Sequence, residues 1–360
     1  MMHRIAFSLF LVVAAGAGAQ AQPGLEALLA RVAQHNTSLI AHQQYLEAQK
    51  LSFRTGLAPA NPTVEFDFLK GRPEGAGNLR DFAVTQSFDF PTAYRRKRQL
   101  AEERTTQTVF QARAFRQNVL LEAKRYYLEL VYLNQQHLLL SRRLQDLERL
   151  AQGYQQQVTQ GNASVLELNK VKLQLVGLRQ ELRENENARN QFTQRLSELA
   201  GGITVADSTT AYPTLPPGPP YAVLDSLVEA QDPVLKSIRQ EKEISTREKE
   251  VTRALTLPKM QAGYHYQAIL GQVYEGAHVG LTIPLWQDRH RVQEAEARIV
   301  HNELQIQHHL NEHQHRVRQL YLRYENLRET LADYQQLRST LTTAELLAKA
   351  LRLGHISTVE

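Results

Sequence analysis

The chain has 360 residues, a formal net charge of +5 at pH 7 and no cysteine. Without cysteine it can form neither disulfide bonds nor a lipid anchor attached through a cysteine side chain. Its charged residues are interspersed along polar segments, which indicates a solvated surface and argues against a nucleic-acid partner.

Residues 1–21 have the features of a secretory signal peptide. A short basic start precedes an apolar run from Ile5 to Ala15, and small residues follow in an A-x-A pattern. The apolar run is shorter than the ~20 residues that a transmembrane helix needs, so an N-terminal membrane anchor is the less favoured alternative. The sequence therefore predicts an exported protein.

The first mature segment predicts a helix followed by a β-hairpin. From Leu25 to Gly56 the chain is polar, with apolar residues at helical spacing. The period then changes to two, on both sides of a glycine-rich loop at 71–78, which is typical of a hairpin. The hairpin covers about residues 62–90, and its apolar positions are Val64, Phe66, Phe68, Phe82, Val84, Phe88 and Phe90.

A long helix is predicted from about residue 93 to 160. Its apolar positions are spaced by four and three residues over more than five heptads, which is the pattern of a coiled-coil seam. The seam comprises Val119, Ala123, Tyr126, Leu130, Leu133, His137, Leu140, Leu144, Leu147, Ala151, Tyr154 and Val158. Gly161 is placed to end this helix and Ser164 to cap the next one, which runs to about Leu199.

Residues 201–220 form a Pro/Gly-rich connector, after which the same order of features returns. Leu39 aligns with Leu235 at a shift of 196 residues, and Pro91 aligns with Pro284 at a shift of 193. We therefore divide the mature chain into repeat 1 (22–200) and repeat 2 (221–360). Repeat 2 has its hairpin at about 258–284 and its long helix at about 287–353. The helix that should follow its corner is missing from the sequence as given.

The lengths of these elements indicate a membrane-spanning assembly. A helix of about 66 residues is roughly 100 Å long, and the two shorter helices of each repeat add to a similar length. Strands of about 10 residues have the length of a tilted β-strand that crosses a bilayer. Four strands cannot close a barrel, and an open edge in lipid leaves backbone groups unpaired, so several chains are expected to share one barrel.

The sequence resembles the TolC-type family of bacterial outer-membrane efflux channels over nearly the whole mature chain. The resemblance rests on the two hairpin-and-long-helix units, on two G-x-x-S-x-x-E corners at Gly161 and Gly354, and on three strand-to-helix segments, "ANPTVEFDF", "SFDFPTAYRRKR" and "TIPLWQDRHR". It implies a mainly α fold with a small β part. Two repeats of helix, β-hairpin, long helix and helix would build a long antiparallel coiled-coil α-barrel and a 12-stranded trimeric transmembrane β-barrel.

The resemblance also implies location and partners. The protein is expected in the outer membrane of a Gram-negative bacterium, with a periplasmic α-helical extension. Its expected partners are two further copies of itself, outer-membrane lipid, a periplasmic adaptor (membrane fusion) protein and an inner-membrane pump. The heavy-metal branch of the family is the most similar, which favours an RND-type pump, while an ABC-type pump stays open.

Three groups of residues are candidates for function. The adaptor-contacting tips, whose Gly and Ser can equally serve only as helix stop and cap, are Gln160, Gly161, Asn162, Ser164, Leu353, Gly354, His355 and Ser357. The lipid-facing residues, for which a buried sandwich core is the alternative, are Phe66, Phe68, Phe82, Phe88, Phe90, Val279, Leu281 and Ile283. The basic residues, either membrane anchors or simply solvated charges, are Arg95, Arg96, Lys97, Arg98, Arg289 and Arg291.

A histidine-rich stretch at 301–316 is the fourth candidate. His309 and His313 are four residues apart, a spacing at which two histidines can bind one transition metal, and His308 is their neighbour. We favour the interpretation that these histidines are polar residues on a wet helix face, so that the protein has no defined metal site. Efflux of divalent metal cations remains a candidate activity.

No catalytic constellation or cofactor motif appears in the sequence, so we do not predict an enzyme. The favoured function is passive conduction of substrates from the periplasmic adaptor and pump to the outside. The alternative is a soluble periplasmic coiled-coil adaptor or structural protein of an efflux complex. The sequence leaves the substrate open among metal ions, drugs and peptides.

Overall fold

The computed structural model describes residues 23–205, 208–214, 218–284, 286, 290–340, 346 and 349. In chain order the elements are α1 (Pro23–His35), α2 (Thr37–Phe53), β1 (Thr63–Lys70), β2 (Asn78–Phe88), α3 (Pro91–Thr159), α4 (Val165–Leu199), α5 (Tyr221–Gln231), α6 (Pro233–Leu255), β3 (Lys259–Ile269), β4 (Gln272–Thr282) and α7 (Arg291–Thr340). Among these helices, none is both long enough and apolar enough to cross a membrane. The predicted signal peptide lies outside the described residues.

The helix predicted from Leu25 to Gly56 is in fact two helices, because the chain breaks at Asn36. The Asn36 side chain turns away and donates a hydrogen bond from Nδ2 to the Leu199 carbonyl oxygen at 2.8 Å. A second break separates α5 from α6 at Asp232, which has an extended backbone (ψ 111°) as the residue before Pro233. The two breaks are 196 residues apart (232 − 36), which is the shift that relates the predicted repeats.

The chain divides into two compact units whose boundary falls within α3. One unit comprises Met1–Thr37 and Val119–Gly218, and the other comprises Ser38–Asn118 and Pro219–Glu360. The first therefore holds α1, the later part of α3 and α4. The second holds most of α2, the sheet, the start of α3 and the helices α5 to α7.

The predicted seam on α3 lies at its interface with α4 in the first unit. Its buried members include Val119, Ala123, Leu130, Leu133 and Leu140, and those of α4 include Leu168, Val171, Leu175 and Leu196. Each buried leucine contributes roughly 1.5–3 kcal/mol to stability. Polar side chains are also buried among them, and one of these, Asn185, is 5% exposed and donates from Nδ2 to the Leu133 carbonyl oxygen at 3.1 Å. An amide at that depth favours one register of the two helices, because any shift would leave it unpaired.

The duplication predicts a comparable seam of apolar residues on the second long helix, and along α7 this seam is exposed instead. Five of its residues are each more than half exposed, namely Leu320, Leu327, Leu331, Tyr334 and Leu337. In the second unit α6 packs against the first part of α7, where the Asn302 side chain donates to Ser245 Oγ at 2.7 Å. The later seam positions from Leu341 onward fall outside the described side chains.

The four strands form one antiparallel sheet in the order β1-β2-β3-β4. Each hairpin pairs internally, and the two hairpins join through β2 and β3, where Phe82 lies opposite Tyr266. On its other side Phe82 lies opposite Phe66 of β1. Strands β1 and β4 are therefore the two edges of the sheet.

Gly201 is expected to be required for the fold of the first unit. It ends α4 at φ +75°, and a Cβ at this position would lie 2.2 Å from the His35 carbonyl oxygen. Gly201→Ala should lower the stability by about 1–3 kcal/mol, measured by urea unfolding followed by circular dichroism. The matched control is Gly153→Ala within α3, where a Cβ would meet nothing within 4 Å. This control should raise stability by about 0.5–1 kcal/mol, and equal effects of the two changes would refute the prediction.

Candidate functional site

The sheet has one apolar and one polar face. Residues that lie directly opposite one another on neighbouring strands share a face, so the row of Phe66, Phe82 and Tyr266 marks the apolar side. The polar side carries a row in which Asp67 lies opposite Asp81. Two carboxylates placed side by side repel each other.

A histidine lies within contact distance of one of these carboxylates. His265 Nε2 is 2.6 Å from Asp81 Oδ1, which offsets part of the repulsion between Asp81 and Asp67. The Gln267 side chain makes a longer contact, 3.5 Å, to the other oxygen of Asp81. The polar face is thus a hydrogen-bonded, net acidic surface.

The residues predicted to face lipid mostly lie on the apolar face. Those in the strands are Phe66, Phe68, Phe82, Phe88, Val279 and Leu281, which share that face by register. Phe90 and Ile283 lie just beyond the strand ends. Phe66 is 66% exposed and Val279 is 82% exposed, whereas Phe82 is partly covered by its two neighbouring strands. Among the described residues, none covers this face at Phe66 of β1 or at Val279 of β4.

Ion pairs and hydrogen bonds fix the passage from β2 into α3. The Asp89 carboxylate accepts from Lys97 Nζ at 2.8 Å, and the Asp89 backbone N–H donates to the Tyr94 hydroxyl at 2.9 Å. Arg96 pairs with Glu250 of α6 at 3.0 Å. Arg95 and Arg98, by contrast, are exposed. Of the remaining predicted basic residues, Arg291 opens α7 and Arg289 lies outside the described residues.

The corner between α3 and α4 is a glycine-terminated turn followed by a serine cap. Gly161 has φ +76°, and the Asn162 N–H donates to the Gln157 carbonyl oxygen at 2.8 Å, as in a Schellman motif. Ser164 Oγ then accepts from the Leu166 N–H at 3.1 Å and so caps α4. The local roles predicted for Gly161 and Ser164 are confirmed by this geometry.

The same corner exposes the residues predicted to contact an adaptor. The exposed set is Gln160, Gly161, Asn162 and Ser164. The candidates of the second corner lie outside the described residues, namely Leu353, Gly354, His355 and Ser357. Exposure makes the first corner available to a partner without identifying one.

The histidine-rich stretch does not bring its three candidate metal-binding histidines together at one site. His308 is exposed, with Nε2 3.9 Å from Glu312 Oε2 on its own helix. His309 and His313 instead approach one oxygen of Asp232, at 3.0 Å and 3.7 Å. Within the part of the chain that the structure describes, no group of three or more His, Cys, Asp or Glu side chains is arranged to hold a metal ion.

Asp232 was missed by the sequence analysis and links two elements of the second unit. One carboxylate oxygen accepts from the Val234 N–H at 2.8 Å and caps α6, while the other accepts from His309 of α7. A cavity of about 790 Å³ lies beside it, lined also by Arg113 and Arg316. The Asp-Pro pair is a recognisable helix-start signal, but nothing local in the sequence pairs it with a histidine 77 residues later.

The environment of Asp232 lowers the pKa of its carboxyl below the ordinary value of 3.8. Burial acts in the opposite direction, because it penalises the charged form. The hydrogen bond from His309 and those from the backbone N–H groups of Val234 and Leu235 outweigh that penalty. The carboxylate is therefore more stable in the folded protein than in the unfolded chain.

Comparison with known proteins shows the fold. No protein-family model and no curated protein sequence matches the chain. The outer-membrane protein VceC of Vibrio cholerae matches with a TM-score of 0.73 and 15% identity, over 95% of this chain and 88% of that one. The CmeC outer-membrane channel of Campylobacter jejuni matches with a TM-score of 0.69 and 14% identity, over 94% and 78%.

CusC, whose structures were solved in connection with transmembrane channel formation, matches with a TM-score of 0.67 and 15% identity, over 93% of this chain and 84% of that one. The predicted resemblance to TolC-type channels is thus confirmed at the level of the fold. The mainly helical architecture with a small four-stranded antiparallel sheet is the part of the predicted fold class that is confirmed.

Replacement of Asp232 by Asn should expose its electrostatic role. Asn keeps the capacity to cap α6, so the change removes mainly the charge that His309 and His313 contact. Because the folded pKa is lowered, the carboxylate stabilises the fold at neutral pH, and this contribution is lost as the pH falls through the folded pKa. We expect Asp232→Asn to cost roughly 1–2 kcal/mol at neutral pH, with the difference from wild type shrinking below about pH 4.

Thermal unfolding followed by circular dichroism at a series of pH values would measure this difference. Asp146→Asn is the control, since the Asp146 side chain is 70% exposed and pairs with Arg149 on the same helix. This control should change stability by less than about 0.5 kcal/mol. A loss for Asp232→Asn that does not vary with pH would contradict the assignment.

Proposed function

We propose that the chain is one subunit of the outer-membrane channel of a tripartite efflux system, and that it conducts substrates passively to the outside. The observation that carries the proposal is a sheet with one apolar face, one acidic face and two unpaired edges. The shared fold with solved outer-membrane channels supports it. The energy for transport would come from a pump in the inner membrane, so the chain itself needs no catalytic residue.

The two sheet edges support assembly from several copies. The outer edges of β1 and β4 carry backbone N–H and C=O groups without a strand neighbour in the sheet. In hydrocarbon such groups cost several kcal/mol each, and a closed barrel removes the cost. Pairing of β1 of one copy with β4 of the next closes the sheet, and three copies give twelve strands, an even number as in other bacterial barrels.

The two faces support the orientation of that barrel. Lipid would contact the apolar face with Phe66, Phe68 and Val279, and the pore would be lined by the polar face with Glu65, Asp67 and Asp81. An acidic lining favours the passage of cations over anions. Divalent metal cations are therefore our first proposed substrate class, although the histidines of α7 supply no assembled site for them.

The exposed corner at Gln160–Ser164 supports a docking role at the turn between α3 and α4. We propose that it contacts the periplasmic adaptor protein, and that the adaptor connects the channel to a pump of the RND type. The duplicated order of elements predicts a second corner of the same kind in repeat 2. The repeat boundaries at 22–200 and 221–360 are part of this proposal, and the helix breaks at Asn36 and Asp232 support them.

Pairs of introduced cysteines would test the shared barrel, since the natural chain has none. Asp67→Cys on β1 is combined in turn with Tyr274→Cys, Gly276→Cys or His278→Cys on β4, all on the polar face. Because β1 and β4 of one chain are separated by two strands, we expect at least one pair to form disulfides between chains. Non-reducing electrophoresis should show dimers and trimers, and the cross-linked trimer should conduct ions in planar bilayers.

The control pairs Asp67→Cys with Gln267→Cys, because β3 is an inner strand that another chain cannot reach. It should give no covalent oligomer. A monomeric, water-soluble protein with no disulfides between chains for any pair would refute the channel and favour the adaptor alternative.

The corner is tested separately by Asn162→Arg. A bulky charge at an exposed turn leaves the fold intact but should weaken adaptor binding about tenfold, or 1.4 kcal/mol, if the turn lies inside the contact. Co-purification of the cognate adaptor with the tagged channel measures this. Gln180→Arg, at an exposed position further along α4, is the matched control and should bind normally. Equal binding by both variants would show that this corner is not the adaptor contact.

A further inference from the structure

The chain has a single tryptophan, Trp286, and its side chain is 84% exposed. It lies between β4 and α7, two residues after Pro284, whereas after the first hairpin the aromatic residue is Tyr94, three residues after Pro91. The Tyr94 hydroxyl accepts a hydrogen bond from the Asp89 backbone N–H, so that aromatic is held against its own chain. Trp286 makes no comparable hydrogen bond or ring contact with the described part of the chain, and its large apolar surface is left uncovered.

An exposed apolar stripe leads to Trp286 along β4 and past its end. Val279, Leu281 and Ile283 are each more than half exposed. Leu281 lies opposite Met260 of β3, which lies opposite Phe88 of β2, so the stripe meets the apolar face at this end of the sheet. A continuous apolar surface of this kind on a folded protein indicates a lipid or protein partner.

Unneutralised positive charge accompanies the same end of the sheet. Four basic residues open α3, but two of them are held in ion pairs: Arg96 with Glu250 and Lys97 with Asp89. The side chains of Arg95 and Arg98 are exposed, and neither makes an ion pair with another described residue. Because a guanidinium presents several N–H donors in a fixed plane, these two are suited to phosphate groups.

We propose that Trp286, Arg95 and Arg98 form an interface belt that binds the headgroup region of the glycerophospholipid leaflet on the helical side of the membrane. An indole has an apolar body and one N–H donor, so it is most stable where acyl chains meet the glycerol and phosphate groups. The two arginines bind phosphates at that level. The belt fixes the depth of the barrel in the bilayer, and the inference rests on the proposed channel function.

Fluorescence of the one tryptophan tests the belt directly. The full chain is reconstituted in vesicles whose lipids carry bromine, a fluorescence quencher, either near the glycerol end or near the methyl end of the acyl chains. We expect strong quenching by the shallow bromine and weak quenching by the deep bromine. Trp286→Phe should abolish the signal and leave trimer formation unchanged, which confirms that residue 286 is its source.

Two outcomes would overturn the proposal while the channel function stands. A trimer that conducts ions but shows no quenching by either lipid would place Trp286 against protein, such as the neighbouring copy. Stronger quenching by the deep bromine would place it inside the hydrocarbon. If the protein neither inserts nor forms trimers, the proposed function itself fails, and this result is recognised by the absence of conductance.

The arginines are tested in vesicles that mix anionic phosphatidylglycerol with neutral phosphatidylcholine, with only one of the two lipids brominated. Quenching then reports which lipid lies beside Trp286. We expect a preference for the anionic lipid that falls by about fivefold for each arginine in Arg95→Gln and Arg98→Gln variants. The control replaces both Arg142 and Arg143 by Gln at exposed positions far along α3. It removes two positive charges, as many as Arg95→Gln and Arg98→Gln remove together, and should keep the preference for the anionic lipid. An unchanged preference in the first variants would remove the arginines from the belt.

Discussion

An unpaired strand edge is the constraint on which the proposed assembly depends. The sheet of this chain ends at β1 and β4, and a lipid environment offers no hydrogen bonds to their outer backbone groups. In the proposed membrane setting the chain can satisfy those groups only through another strand, and we propose that β4 of a second copy pairs with β1. The apolar face, the acidic face and the exposed Trp286 then acquire consistent roles, because each is defined by its position relative to that closed sheet.

The helices also leave apolar surface uncovered, to a different degree in each of the two units. In the first unit α3 and α4 bury a leucine-rich seam, and the inserted Asn185 opposes any slip of one helix along the other. In the second unit the comparable stripe on α7 is exposed beyond the part that α6 covers. Exposed stripes of leucine and tyrosine at coiled-coil spacing need a helical partner. Helices as well as strands therefore leave surfaces that a single described chain does not cover.

Helix breaks at Asn36 and Asp232 are the feature that the periodic pattern concealed. Apolar residues continue at helical spacing across residue 36, so the pattern predicted one helix. The break arises because the Asn36 side chain bonds to the Leu199 carbonyl oxygen, an atom 163 residues away. At Asp232 the signal is local, since a residue before proline avoids the helical conformation. Its contact with His309 of α7 is again long-range: His309 is hydrogen-bonded to the Asp232 carboxylate at 3.0 Å, and His313 lies 3.7 Å from the same oxygen.

The sequence by itself determined the features that depend on near neighbours. The alternation around Phe66 and Phe82 predicted the hairpin, the four-three spacing predicted the α3 seam, and Gly161 with Ser164 predicted the corner. Only the tertiary structure decided how those pieces combine. It joined the two hairpins through β2 and β3, and neutralised Arg96 and Lys97 while leaving Arg95 and Arg98 exposed. The physical reason is that periodicity and capping act over a few residues, whereas strand pairing and ion pairs join groups whose separation along the chain carries no information about their separation in space.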